Sequence, residues 1–133
     1  MIALVRTVDG VVQVDVETEI ALGEVDAQVD HERIELELPR VVAASAAGAT
    51  VIAVVDRRPP LVVSYDAGAT WSEAGGGLPP GFDVAVDPAD PDRILFAARN
   101  RLHLSTDGGR FWRSLAPEFP DVEAVSWEAT LAS

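Results

Sequence analysis

Arginines and carboxylates are the residues able to do chemistry in this chain, and two arginine clusters stand out by where they fall. Arg57-Arg58-Pro59-Pro60 and Arg99-Asn100-Arg101 each interrupt a pair of apolar runs. If both interruptions are turns at one edge of a β-structure, they set positive charge on one face of an acidic body, which fits a carboxylate or an acidic peptide. Ordinary solvated turn arginines are the plainer reading. Asp87, Asp90 and Asp92 gather oxygen ligands in one stretch, although Asp-Pro pairs are turn formers first. His31 and His103 have no cysteine and no second histidine nearby and read as rim residues facing solvent, so neither a metal nor a cofactor is expected.

The elements that must position these residues announce themselves through a repeat. Ser64-Tyr65-Asp66-Ala67-Gly68-Ala69-Thr70-Trp71 and Ser105-Thr106-Asp107-Gly108-Gly109-Arg110-Phe111-Trp112 agree at Ser, Asp, Gly and Trp and start 41 residues apart. A period near 40 residues with strand-like runs on either side is the mark of a four-stranded propeller blade. Within each octet the Asp is a short acceptor for backbone N–H groups of a tight turn, and Gly68 and Gly109 supply positive φ. Trp71 and Trp112 are expected to open the next strand and wedge a ring against a neighbouring sheet.

The octets resemble the Asp-box, or BNR, repeat (S-x-D-x-G-x-T-W) of sialidase-like and sortilin-type β-propellers. Ser64, Asp66, Gly68, Thr70 and Trp71 match in the first copy; Ser105, Asp107, Gly109 and Trp112 match in the second, where Phe111 replaces Thr. The resemblance covers roughly residues 40 to 127 and implies that the boxes are structural turns on the rim. Sialidase chemistry in that family needs an arginine triad, a Tyr nucleophile paired with Glu, and an Asp acid or base. The only tyrosine is Tyr65, inside the first box. No catalytic residue carries over, and the chain is therefore expected not to be an enzyme.

Composition bounds the rest. The 133 residues are 48% apolar, with no apolar run long enough to span a membrane and no charged start followed by an apolar stretch. Cysteine is absent, which favours a cytoplasmic protein without disulfide staples. Lysine is absent too, and against 22 acidic residues the net charge is −12, which disfavours nucleic acid and anionic lipid as partners.

Alternation places strands at residues 2–7, 11–17, 20–25, 33–38, 41–46, 50–56, 61–64, 70–74, 82–87, 93–98, 101–105, 111–115 and 122–127. The expected fold is a single all-β domain over 1–133 with about three four-stranded blades. Residues 1–39 supply strands for a shared blade, 40–75 hold the blade with the first box, 82–116 the blade with the second, and 120–133 an inner strand of the shared blade. Three blades make half of a six-bladed ring and leave two apolar sheet faces open. A homodimer is the expected remedy, the C-terminal strand of one chain completing the N-terminal blade of the other. The function this favours is a non-catalytic scaffold or binding module for a protein or a small anionic ligand, with Arg57, Arg58, Arg99, Arg101 and Trp127 as candidate ligand contacts. The alternative is a carbohydrate-binding or glycoside-hydrolase-like propeller, in which Trp127 or Trp71 stacks on sugar rings.

Overall fold

The computed structural model of the chain describes residues 1–29, 36, 38 and 40–128. Twelve strands follow one another with no helix among the described residues: β1 (Ile2–Thr7), β2 (Gly10–Asp15), β3 (Ile20–Val25), β4 (Val41–Ala47), β5 (Thr50–Val55), β6 (Leu61–Ser64), β7 (Ser72–Ala74), β8 (Gly81–Asp87), β9 (Asp90–Ala98), β10 (Arg101–Ser105), β11 (Arg113–Glu118) and β12 (Val122–Trp127). They form three four-stranded antiparallel sheets, consistent with propeller blades. Sheet 1 has the order β12-β1-β2-β3, sheet 2 the order β4-β5-β6-β7, and sheet 3 the order β11-β10-β9-β8.

Strand alternation explains how the sheets stack. On sheet 3, Val84, Val86, Ile94, Phe96 and Ala98 point one way and pack with Ile52, Val54, Leu61 and Val63 of sheet 2. Ala85, Leu95, Ala97, Leu102, Leu104 and Leu115 point the other way, against Ala3, Val5, Val14 and Val125 of sheet 1. Sheet 3 is therefore buried on both faces, which is why its central strands read as continuous apolar runs. Polar groups tie the innermost strands across the stack. Val86 N–H donates to Ser45 Oγ at 2.9 Å, Val125 N–H to Asp83 Oδ2 at 3.0 Å, and the Trp127 indole to Ala85 O at 3.0 Å.

Within the single chain the two terminal strands meet. β12 pairs with β1 of its own chain, Ala3 opposite Trp127 and Val5 opposite Val125. The alternating apolar residues of the two termini match in register, so the chain joins its own ends. The outward faces of sheets 1 and 2 are also less bare than three blades alone would leave them. Val25, Ala27 and Val29 pack over Leu4 and Ala124 of sheet 1, while Leu36, Leu38 and Trp71 pack over Ala44, Ala53, Val55 and Val62 of sheet 2. Leu36 and Leu38 belong to no strand; the rest of the strand expected over residues 33–38, and His31, lie outside the described residues.

Trp71 and Trp112 do not open strands. β7 starts at Ser72 and β11 at Arg113, because each indole folds back over the glycine of its own octet. Among the described residues no helix is long and apolar enough to cross a membrane.

Candidate functional site

Hairpins of an antiparallel sheet alternate between its two edges, so the octets and the arginine turns lie at opposite edges. At the octet edge, Ser64 and Asp66 build one turn and Ser105 and Asp107 build the same turn again. Ser64 Oγ donates to Asp66 Oδ1 at 2.7 Å and accepts from Gly68 N–H at 2.8 Å. Ser105 Oγ repeats both bonds with Asp107 Oδ1 and Gly109 N–H, each at 2.8 Å. Gly68 and Gly109 have φ of +92° and +96°, and a Cβ on either would touch the six-membered ring of its tryptophan, 3.7 Å from Trp71 and 3.6 Å from Trp112. Thr70 donates its N–H and hydroxyl to Asp66 at 2.8 and 2.5 Å, the hydroxyl being the strongest of several bonds that hold the Asp66 pKa at about 2. In the second turn Phe111 keeps the N–H bond to Asp107 at 3.0 Å, lacks the hydroxyl, and is 80% exposed. Asp107 is still held below the ordinary carboxylate range, chiefly by that N–H.

Sheet 1 has a turn at the same position, built around Asp15. Its Oδ1 accepts from Glu17 N–H at 3.0 Å and Thr18 N–H at 3.3 Å, and the Thr18 bond leads in lowering its pKa. Sequence reasoning missed this acceptor because neither Gly nor Trp follows it at the octet spacing.

At the opposite edge the candidate arginines divide. Arg99 Nε meets Asp121 Oδ1 at 3.1 Å, and Arg101 Nη2 meets Glu118 Oε1 at 2.6 Å, so both pin the turn after β9 to the end of β11 and the residues just beyond it. Arg6, Arg93 and Arg113 also meet carboxylates, those of Glu123, Asp90 and Glu19. Arg57 and Arg58 are exposed and meet no carboxylate among the described residues. They border two cavities. One, of about 360 Å³, is lined by Arg58, Pro59, Pro60, Leu78, Pro79 and Pro80. The other, of about 250 Å³, is lined by Val42, Val55, Asp56, Arg57, Pro80 and Gly81 and shares Arg58 and Pro80 with the first. Adjoining through these shared residues, they make one groove between the Arg57–Pro60 turn of sheet 2 and the start of sheet 3, lined by Pro59-Pro60 and Pro79-Pro80, a surface that loses little freedom when a ligand seats.

The remaining candidates are structural. Trp127 is half-buried, packs against the core between sheets 1 and 3 and lines a smaller cavity of about 190 Å³ beside Arg93 and Arg113. Its indole N–H is already committed to Ala85 O, which weakens the sugar-stacking reading. His103 is not a rim residue. It is 7% exposed, its Nδ1 lies 3.2 Å from Ser114 Oγ, and burial, with Arg101 second, pushes its pKa down. Asp87 and Asp90 receive turn N–H groups from Ala89 and Asp92, and Arg93 stands 3.9 Å from Asp87 and 3.4 Å from Asp90 while touching Met1 Sδ. No group of three or more potential metal ligands occurs among the described residues.

No protein-family model matches the sequence, and no curated protein matches it. Among solved structures the chain is similar to a GH74 enzyme from Niastella koreensis, at 18% identity and a TM-score of 0.49, over 90% of this chain and 19% of that one. The chain thus spans about a fifth of that enzyme's length, and no residue role or activity carries across at this level. The finding corrects one expectation. The structure this chain resembles is that of an enzyme, and the missing Tyr nucleophile bears on sialidase chemistry alone, so the expectation that the chain is not an enzyme is withdrawn.

Proposed function

We propose that the chain is a binding module of the Asp-box propeller type that takes an anionic ligand in the groove between sheets 2 and 3. One observation carries this reading: among the described residues Arg57 and Arg58 meet no carboxylate beside a groove, in a chain of net charge −12 where five other arginines are paired. Two guanidinium groups within one turn suit a carboxylate bidentately, and the rigid walls limit the ordering cost. The octets serve this site from the far edge by fixing the hairpins. Titration of a triglutamate peptide into isotope-labelled protein tests the reading. Amide shifts confined to residues 56–60 and 77–82 support it; shifts centred on 64–71 and 105–112, or none at millimolar peptide, refute it.

A second proposal concerns partners. Among the described residues no further sheet covers the outward faces of sheets 1 and 2, which favours pairing of two copies into one six-bladed ring. The packing of Val29, Leu36 and Leu38 onto those faces works against it by reducing the apolar area left to bury. Light scattering across a dilution series decides between them: a mass of two chains that persists to micromolar concentration supports the ring, and a single-chain mass at every concentration excludes it.

A further inference from the structure

Each innermost strand carries one extra residue at the same place. In β4, Val41 faces Val55 and Ala43 faces Val54, leaving Val42 unmatched. In β8, Gly81 faces Ala98 and Asp83 faces Ala97, leaving Phe82 unmatched. In β12, Val122 faces Thr7 and Ala124 faces Arg6, leaving Glu123 unmatched. The side chains of these three bulges stay about half in water, Val42 and Phe82 being 49% and 47% exposed and the Glu123 side chain 49%. A bulge re-aims a side chain away from the regular pleat, and repetition in three sheets makes this a designed feature of the edge.

The bulges sit at the edge that holds the groove. Val42 lines the cavity with Arg57 and Arg58, and Phe82 follows Gly81, another residue of its wall. The groove thus holds two guanidinium groups that meet no described carboxylate beside an exposed valine, and the neighbouring innermost strand carries an exposed phenylalanine at the equivalent position. At the third equivalent position Glu123 is held by Arg6 Nε at 3.4 Å. We infer that Val42 and Phe82 form the specificity surface of the groove, so that its ligand is a peptide bearing a carboxylate next to an aromatic or large aliphatic side chain. This rests on the anionic-ligand reading above and narrows it. The arginines hold the carboxylate, and the neighbouring ring covers apolar surface that water otherwise meets.

The test compares two synthetic peptides, acetyl-Gly-Glu-Phe-Gly-amide and acetyl-Gly-Glu-Ser-Gly-amide, by isothermal titration. Wild-type protein is expected to bind the phenylalanine peptide about tenfold more tightly, an order of magnitude set by partial burial of one ring. Val42→Ser/Phe82→Ser should abolish that preference while leaving the serine peptide's affinity in place. Arg57→Ala/Arg58→Ala should weaken both peptides by a similar factor. If the doubly substituted bulge variant does not fold, Phe82→Thr alone, expected to reduce the preference by half or more, replaces it. Equal binding of the two peptides by wild type, or a preference that survives the bulge substitutions, overturns the inference and leaves the groove an anion site. Failure of both peptides to bind wild type overturns the anionic-ligand reading itself.

Discussion

The Tyr65 hydroxyl donates to the backbone carbonyl of Gly108 at 2.7 Å, tying the turn of the first octet to the turn of the second across the boundary between sheets 2 and 3. The Arg110 guanidinium lies over the same ring, 4.8 Å from its centre. The one tyrosine of the chain thus acts as a strut between two equivalent turns. Tyr65→Phe keeps the ring under Arg110 and removes the bond, and is expected to cost about 1 kcal/mol. Urea unfolding checks this, with an unchanged midpoint contradicting the strut.

Between sheets 3 and 1 the corresponding tie is buried. Asp83 is 2% exposed and accepts the Val125 N–H of β12, so Asp83→Ala strands that donor and is expected to destabilise by about 1–3 kcal/mol. Hydrogen exchange localises the effect: protection should fall first in β12 and β1. Loss spread evenly over all three sheets would show that the bond does not hold the terminal strand.

Gly81 opens β8 where nothing larger fits. A Cβ there would lie 2.2 Å from Phe96 Cε2 and 2.4 Å from Phe96 Cζ, and Phe96 is fully buried between sheets 2 and 3. Gly81→Ala must displace that ring, at about 1–3 kcal/mol by overpacking. Adding Phe96→Leu should recover part of the loss, and a double variant that is simply the sum of its parts would contradict the clash.

The two octets are expected to titrate differently. Thr70→Val removes the leading donor to Asp66 and should raise its pKa from about 2, while Phe111→Thr offers Asp107 a matching hydroxyl and should lower its pKa. Carbon-detected titration of the carboxylates reads both shifts directly.

His103 and Asp66 bear on how stability depends on pH. His103 has a pKa below its ordinary 6.5, so the unfolded chain takes up that proton first and stability starts to fall as pH drops below about 6.5. Asp66, at about 2 against an ordinary 3.8, contributes stability that is complete above the unfolded value and is lost as pH falls toward 2. Tm measured from pH 7 to pH 2 should therefore decline in two stages. His103→Gln should flatten the first and Asp66→Asn should reduce the second, to which Asp15, Asp107 and Asp121, also held below the ordinary carboxylate range, contribute; a single stage insensitive to both would refute the assignment.

Much of this fold was legible because apolar alternation states itself locally. The bounds of β1, β3, β6, β10 and β12 match the runs at residues 2–7, 20–25, 61–64, 101–105 and 122–127. The pairing of β12 with β1 was harder, because matching ends do not say whether they belong to one chain or two. Leu36 and Leu38 alternate as a strand does, yet they cover sheet 2, and nothing local distinguishes those uses. Of the site, the arginine turns were visible, but which arginines remain free was not. Asp121 and Glu118, which pair with Arg99 and Arg101, lie 22 and 17 residues further along the chain. The bulges were invisible because an extra residue shows only against a partner strand.

Reversing the charge of the groove tests the central claim most directly. A glutamate-containing peptide and its lysine counterpart are titrated against wild type and against Arg57→Glu/Arg58→Glu, in about 0.15 M salt, where charges more than about 8 Å away are largely screened. Wild type should take the glutamate peptide and not the lysine one, and the variant should lose the glutamate peptide by tenfold or more and gain the lysine peptide. Glutamate-peptide affinity unchanged by the reversal would contradict the account.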